Sequence, residues 1–490
     1  MASIIQQYPS NGKDEAIIRK SGDFAPSYWG DFFISLPLKD DSSIEERVEE
    51  LKTEVKKMVQ HANEPLQKLS LIDAIQRLGL SYHFQEEINL SLKQINNEYC
   101  ITDGLHAFAL RFRLLRQHGY NTPTDGFKKF MNENGKFKES FSSDARGLLS
   151  LYEVGHFGLP GEDVLDEAIA FAGYHLKLII SKVSDSLAMD IERALDVPLR
   201  RGMARLEARQ YIDVYERDEK PCHELLELAK LDFNRVQCLL QKELKDISIW
   251  WKDLGLIKKL SFARDRLVEC YFWALGVCHN PHQSRSRRVF TKVIVFLSTM
   301  DDIYDVYGTL EELIPFNDVI QRRDMEAMKQ LPEYMQIFIH ALEGTYKEIE
   351  DELLVEGNSY RMGYLKEVVK RLSGAYLQEA IWGSHKYVPS LKEHLQDGQV
   401  ISTIKCYMSE ARVSEEEALL EFQKMISNAW KNINEELLKA STFPVSVVLA
   451  PAHSLACMGH VIYNKYDTYK DPAGEMKDKI TMLMVDPVPI

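Results

Sequence analysis

From residue 43 onward the chain repeats one pattern: apolar residues recur at helical spacing, and no stretch alternates as a strand does between turn residues. The residues that punctuate structure are sparse, with 25 Gly and 17 Pro in 490 residues. A chain with that pattern folds as helices packed on helices, so the expected class is all-α. The spacing predicts helices over 43–62, 66–78, 82–98, 104–116, 145–153, 163–182 and 187–195. It predicts more over 222–244, 266–278, 284–307, 311–324, 331–355 and 359–384, and a tail of 393–411, 414–439 and 445–464. Ser43 followed by Glu46 reads as the capping box that opens the first helix. So long a chain exceeds one hydrophobic core, and two helical domains are expected. Residues 1–29 read as a polar arm, 30–215 as the first domain and 216–490 as the second. The polar stretch Glu216-Arg217-Asp218-Glu219-Lys220-Pro221 marks the boundary.

Charge and composition exclude several function classes. Lys+Arg 60 against Asp+Glu 74 leaves −14 with no basic block, which argues against a nucleic-acid partner. No apolar run approaches the roughly 18 residues of a membrane span; Val293-Ile294-Val295-Phe296-Leu297 is core-sized. The seven cysteines, Cys100, Cys222, Cys238, Cys270, Cys278, Cys406 and Cys457, form no C-x-x-C pair and read as packing thiols of a reduced compartment. The opening MASIIQQYPSNGKDEAIIRK has neither an apolar signal core nor an Arg-rich character, so a cytoplasmic location is expected.

The chemistry concentrates where an apolar helix, from Phe290, runs into Asp301, Asp302 and Asp305 before Gly308. Asp301 and Asp305 stand at i and i+4, on one helical face, and repel. They crowd the negative end of the helix dipole, where each is disfavoured by roughly 0.3–1 kcal/mol. Gly308 reads as the helix C-cap, and Thr309 with Glu312 as the capping box of the next helix. A divalent cation explains the crowding: Mg²⁺ takes one or two carboxylates plus phosphate oxygens and waters, with Mn²⁺ the alternative ion. A solvated acidic helix end is the competing reading. Ile294 and Ser298 continue the acids' stripe up the helix, as the wall of an apolar pocket with a charged rim does. Upstream, Arg264 and Arg266 are suited to bidentate phosphate contact, although such pairs are more often surface features. Trp273 belongs to a core by default; in a pocket for a carbocation its π face stabilises positive charge without acting as a nucleophile. Tyr463, Asp467 and Tyr469 lie near the C-terminus, where a helix end packing on the domain is the ordinary reading. His279 and His282 flank Pro281 with no third partner and read as a loop.

Together these residues resemble the plant class I terpene synthases over nearly the whole chain. Arg19-Lys20, followed eight residues later by Trp29, is similar to that family's R-R-x8-W arm, with Lys for the second Arg. Arg264 and Arg266, the D-D-x-x-D of Asp301, Asp302 and Asp305, and the Tyr463…Asp467 tail follow in family order. The resemblance implies a helical N-terminal domain and a C-terminal isoprenoid-synthase bundle. It implies Mg²⁺ on Asp301 and Asp305 with Asp302 behind them, and Arg264 and Arg266 on the departing diphosphate. It places Trp273, Tyr376, Tyr463, Tyr469, Ile294 and Ser298 around the cation, and Tyr463 and Asp467 among the catalytic groups. The incomplete arginine pair and the opening residues resemble the sesquiterpene branch. Farnesyl diphosphate is therefore the expected substrate, ahead of geranyl diphosphate, and the protein a monomer or weak homodimer.

The chain departs from the family in one respect. The family's second metal motif, Asn/Asp-Asp-x-x-Ser/Thr-x-x-x-Glu, is not found; the only Asp-Asp pairs are Asp40-Asp41 and Asp301-Asp302. At Gln396/Asp397 the sequence steps from the run before that motif to the run after it, omitting roughly 60 residues, about three helices' worth. Asn432 and Glu436 lack the motif's other positions and are not read as substitutes. A cyclase short of one pocket wall is expected to be impaired or inactive. A chain-elongating prenyltransferase fits less well, since such enzymes carry two aspartate-rich motifs and no large N-terminal domain.

Overall fold

The computed structural model describes residues 19, 22–37, 44–97, 104–355, 357–387, 389–390, 403–439, 445–463, 469 and 473–490. Lys20, Asp40, Asp41, Ser43, Cys100, Gln396, Asp397 and Asp467 lie outside them. Among the described residues there is no strand beyond one isolated bridge, Met131 with Phe137. In chain order the helices are α1 Phe32–Ser35, α2 Glu45–His61, α3 Pro65–Arg77, α4 Gln85–Asn97, α5 Leu105–Gln117, α6 Ala145–Gly155, α7 Asp163–Ile179, α8 Asp185–Asp196 and α9 Ala204–Glu216. Then come α10 His223–Leu254, α11 Leu256–Lys259, α12 Leu267–Val277, α13 Ser284–Asp302, α14 Leu310–Arg322, α15 Met325–Met328, α16 Glu333–Val355 and α17 Arg361–His385. The last are α18 Thr403–Ala411, α19 Glu415–Lys439, α20 Val445–Tyr463 and α21 Glu475–Met484.

The chain divides into two compact units. The larger gathers Ser27–Leu254, Arg266–Val295 and Arg412–Ile490. In its N-terminal half α6 packs between α5 and α7. Phe112, Phe127, Phe137, Leu148, Leu165 and Leu176 meet there in one buried cluster. Each helix contributes the stripe its spacing dictates; in α2, Val48, Leu51, Val55 and Val59 are all buried. Besides the one-turn α1, two helices absent from the sequence reading belong here. α9 carries Arg205 on its buried face beside Leu206, Ala208 and Ile212, so a charged residue interrupts its apolar period. α21 buries Met476, Ile480, Leu483 and Met484, and α10 holds its end: Gln237 and Gln241 donate to the Leu483, Asp486 and Met484 carbonyls at 2.9–3.1 Å. The stretch 216–221 joins α9 to α10 within this unit.

Buried ion pairs tie these helices. Arg77 of α3 donates to both Asp190 oxygens at 2.9 and 2.6 Å and to Glu207 at 3.2 Å, while Arg193 reaches Glu153 at 2.7 Å. Asp232 of α10 accepts from Tyr82 at 2.6 and 2.7 Å and from Arg235 at 2.7 Å, with His83 at 3.0 Å. Burial alone raises its pKa, but His83, Tyr82 and Arg235 outweigh it and hold Asp232 at about 2. A carboxylate depressed in the folded state contributes its full stability above the ordinary value of 3.8 and loses it as pH falls through about 2. Between pH 5 and 2 the wild type is therefore expected to lose about 2 kcal/mol more than Asp232→Asn, measured by urea unfolding. Parallel pH curves for the two proteins refute the assignment.

The smaller unit comprises Met1–Pro26, Gly255–Asp265 and Phe296–Ala411. There α14 packs on α17, and α16 contacts both α11 and α17. Tyr360, Tyr364 and Val368 form an exposed stripe along the start of α17.

Candidate active site

The acids sit where helix geometry changes. α13 ends at Asp302, and Ile303–Tyr307 continue as a π-turn, a feature common at functional sites and invisible to a 3.6-residue period. Tyr304 anchors the turn: it is buried, and its hydroxyl shares a 2.8 Å hydrogen bond with Ser373 of α17, which donates to Asn317 of α14 at 2.9 Å. Gly308 closes the turn through its N–H to the Ile303 carbonyl at 2.8 Å. It does so in extended conformation (φ −73°, ψ 141°), not the left-handed cap that a glycine there suggests. The glycine is needed for room, because a Cβ would lie 2.6 Å from Leu313 Cδ2 and 2.8 Å from the Ile303 oxygen. Thr309 and Glu312 form the expected capping box of α14.

Arg19 clamps the same segment. Its guanidinium pairs bidentately with Glu312 at 2.8 Å, donates to the Tyr307 carbonyl at 2.9 Å, and lies 4.4 Å from the Tyr307 ring centre. Tyr307 stacks on Phe262 at 3.9 Å, and Tyr334 donates to Glu312 at 2.9 Å.

The three acids differ in exposure: Asp302 is wholly buried, Asp301 half-buried and Asp305 exposed. Arg264 organises the first two. Its backbone N–H donates to Asp302 at 2.7 Å, its Nε lies 2.8 Å from the other Asp302 oxygen, and a terminal nitrogen donates to Asp301 at 2.5 Å. Burial raises both acids, Asp302 to about 7, against the lowering pull of Arg264. Tyr376 stands 5.8 Å from the Tyr304 ring; burial raises its hydroxyl, with Asp301, Asp305 and Glu379 adding to the effect. Among the described residues no group of three or more His, Cys, Asp or Glu converges to hold a metal.

Other sequence candidates, Ser298 apart, lie in the larger unit. Trp273 of α12 has Tyr463, half-exposed at the end of α20, 6.2 Å from its ring. The Tyr469 hydroxyl is 3.5 Å from Cys270 Sγ. Arg266 is wholly buried at the start of α12, unlike Arg264. Ile294 and Ser298 stand one turn apart on α13, both half-buried. Asn432 and Glu436 are exposed on α19, and Glu436 pairs with Lys439. The sequence reading did not find the partners Glu312 and Tyr307 for Arg19, nor Ser373 for Tyr304.

The family model for the terpene synthase N-terminal domain matches residues 28–195. That for the terpene synthase metal binding domain matches 252–400 and 396–432. The chain belongs to the terpene synthase family. It is 41% identical to (−)-germacrene D synthase of Vitis vinifera over 547 aligned positions, covering 98% of each protein. It is 40% identical to (+)-delta-cadinene synthase isozyme XC14 of Gossypium arboreum over 556 positions, covering 100% of each. Both alignments are longer than this terpene synthase's own 490 residues, so both relatives carry residues that it lacks. A solved limonene synthase with 2-fluorolinalyl diphosphate is similar at a TM-score of 0.90 and 32% identity, over 96% of this chain and 100% of that one. Isoprene synthase from grey poplar, solved with three Mg²⁺ ions and dimethylallyl-S-thiolodiphosphate, is similar at 0.84 and 32%, over 91% and 98%. No helix among the described residues is long and apolar enough to cross a membrane.

Proposed function

We propose that this terpene synthase is built to ionise farnesyl diphosphate with Mg²⁺ and cyclise the cation to a sesquiterpene, and that its shortened chain does so poorly. The observation that carries the reading is Arg264 bridging Asp301 and Asp302 at the half-open end of α13. A cation already sits on those carboxylates, on a side chain whose guanidinium is suited equally to phosphate oxygens.

Asp301 and Asp305 are the residues that would hold the metal, and Asp302, buried and fixed to the Arg264 backbone, keeps the helix end in register. When bound, Mg²⁺ supplies neutralisation of the charge that develops on the departing diphosphate. Arg264 exchanges Asp301 for the diphosphate and adds a second positive group. Arg266 supports that role less, since it is wholly buried. Trp273 and Tyr463 offer π faces to a cation, and Tyr376 adds an aromatic surface beside the acids. Tyr469, Ile294 and Ser298 are assigned to the cation in this reading, and Asp467 to the catalytic groups with Tyr463. The arm is residues 1–29, the N-terminal domain 30–215 and the metal-binding domain 216–490.

The naming of both plant relatives supports the sesquiterpene assignment. The impairment rests on the metal binding model matching in two stretches that overlap at 396–400, beside the Gln396/Asp397 join. Purified chain with Mg²⁺ and farnesyl diphosphate is expected to give only traces of cyclised product by gas chromatography and mass spectrometry. Efficient turnover defeats the impairment, and product from geranyl diphosphate alone moves the chain to the monoterpene branch. Calorimetry with an unreactive farnesyl thiolodiphosphate separates binding from turnover. Uptake is expected to require Mg²⁺ and to weaken about tenfold or more in Asp301→Ala; metal-independent uptake rejects the site.

A further inference from the structure

A cavity of about 570 Å³ in the larger unit is lined by none of the residues assigned above. Its walls come from α4, the end of α5, Phe157, the short turn Leu199–Arg201 and α19. No Asp or Glu lines it, while Arg116, Arg200 and His118 do, with the side-chain amides of Gln85, Asn89 and Gln117. The two arginines differ. Arg116 is committed to Glu162 at 2.7 and 2.6 Å and to the Thr122 and Phe157 carbonyls. Arg200 has no carboxylate partner among the described residues. Its Nε donates to Asn434 Oδ1 at 2.8 Å, and its guanidinium lies 4.8 Å from the Phe157 ring centre.

That geometry is held from behind. The Asn434 amide donates to the His156 and Gly158 carbonyls at 3.0 Å each, which fixes its oxygen toward Arg200. Arg200, so held, lines this cavity. Arg77, Arg193 and Arg287 all close on carboxylates. Burial without an acid pulls the Arg200 guanidinium down to about 10, still charged at neutral pH. A partly buried cation with no counter-charge is costly, and an anion entering the cavity relieves that cost. Ile88, Leu437 and Leu438 give the cavity an apolar side as well.

We propose that this cavity binds a small phosphate monoester, anchored by Arg200, with the amides of Gln85, Asn89 and Gln117 as further donors and its organic part against Ile88, Leu437 and Leu438. The volume exceeds what inorganic phosphate needs, and the apolar side has no use for a bare ion.

The test is isothermal titration of the full-length chain, free of Mg²⁺ and at constant ionic strength, with phenyl phosphate and with inorganic phosphate. Phenyl phosphate is expected to bind saturably and more tightly than inorganic phosphate. Arg200→Gln is expected to weaken it about tenfold or more, the loss of a charge-assisted hydrogen bond. Asn89→Asp places a repelling charge at an exposed position that the fold tolerates, and carries the test if Arg200→Gln fails to fold; weakened binding is expected again. Asp301→Ala is expected to leave binding unchanged. No saturable binding, equal binding by Asn89→Asp, or loss in Asp301→Ala overturns the proposal. Binding of inorganic phosphate alone overturns the monoester assignment.

Discussion

Arg287→Ala is expected to destabilise the larger unit by about 3–5 kcal/mol, the cost of leaving one member of a buried ion pair alone. Arg287 is wholly buried on α13 and uses its whole guanidinium. Nε and one terminal nitrogen pair bidentately with Glu243 of α10 at 2.9 and 2.7 Å. The other donors reach the Cys278, Asn280 and Pro281 carbonyls at 2.8, 2.6 and 3.1 Å. One side chain thus fastens the α12–α13 loop to the longest helix of the larger unit. Alanine would leave the Glu243 carboxylate buried with neutral hydroxyl donors, Tyr271 at 2.7 Å and Ser284. It would also strip three carbonyls of a donor. Urea unfolding followed by circular dichroism measures the loss. Arg287→Met with Glu243→Leu is expected to recover much of it, because an apolar pair of similar volume removes both charges together. If the double variant is no more stable than Arg287→Ala, the cost lies in the loop carbonyls and not in the stranded charge. If Arg287→Ala unfolds with the wild type, the pair is not structural.

The helices were legible where burial follows the period. α13 reads directly from its apolar stripe, and Thr309 with Glu312 announces α14. The reading failed where tertiary contacts override local preference. α10 runs to Leu254, ten residues beyond the predicted end, through Ile247, Ile249, Trp250 and Trp251, residues of modest helix propensity. Ile247, Ser248 and Trp251 are buried there, so packing extends what propensity alone would stop. Of the candidate site, the acids and Arg264 were legible as types, but not their arrangement. Neither Arg19 with Glu312 nor Arg287 with Glu243 leaves a periodic trace, because each pair joins distant segments. The π-turn after Asp302 depends on Tyr304 reaching Ser373, a contact that no local pattern encodes.

Grafting the roughly 60 residues that a relative carries between the positions of Gln396 and Asp397, about three helices, is expected to raise turnover of farnesyl diphosphate by about 10²–10³-fold, the scale of one restored electrostatic stabiliser. In the proposed function, Asp301 and Asp305 supply only one side of the metal and diphosphate clamp. By resemblance to the family, the omitted stretch holds the second ligand set and part of the pocket wall. It also bears on solubility: Tyr360, Tyr364 and Val368 of α17, before the join, and Leu419, Leu420 and Ile426 of α19, after it, are exposed. Apolar surface of that kind favours association. The two contributions separate in one further protein, the same graft with its Asp, Ser/Thr and Glu ligand positions changed to Ala. If metal ligation is what the chain lacks, this second graft is as soluble as the first and as slow as the parent. If wall and packing suffice, both grafts are fast. If neither is faster than the parent chain while both fold, the omission does not limit catalysis, and the cause lies in the Arg264 and Asp301 arrangement itself.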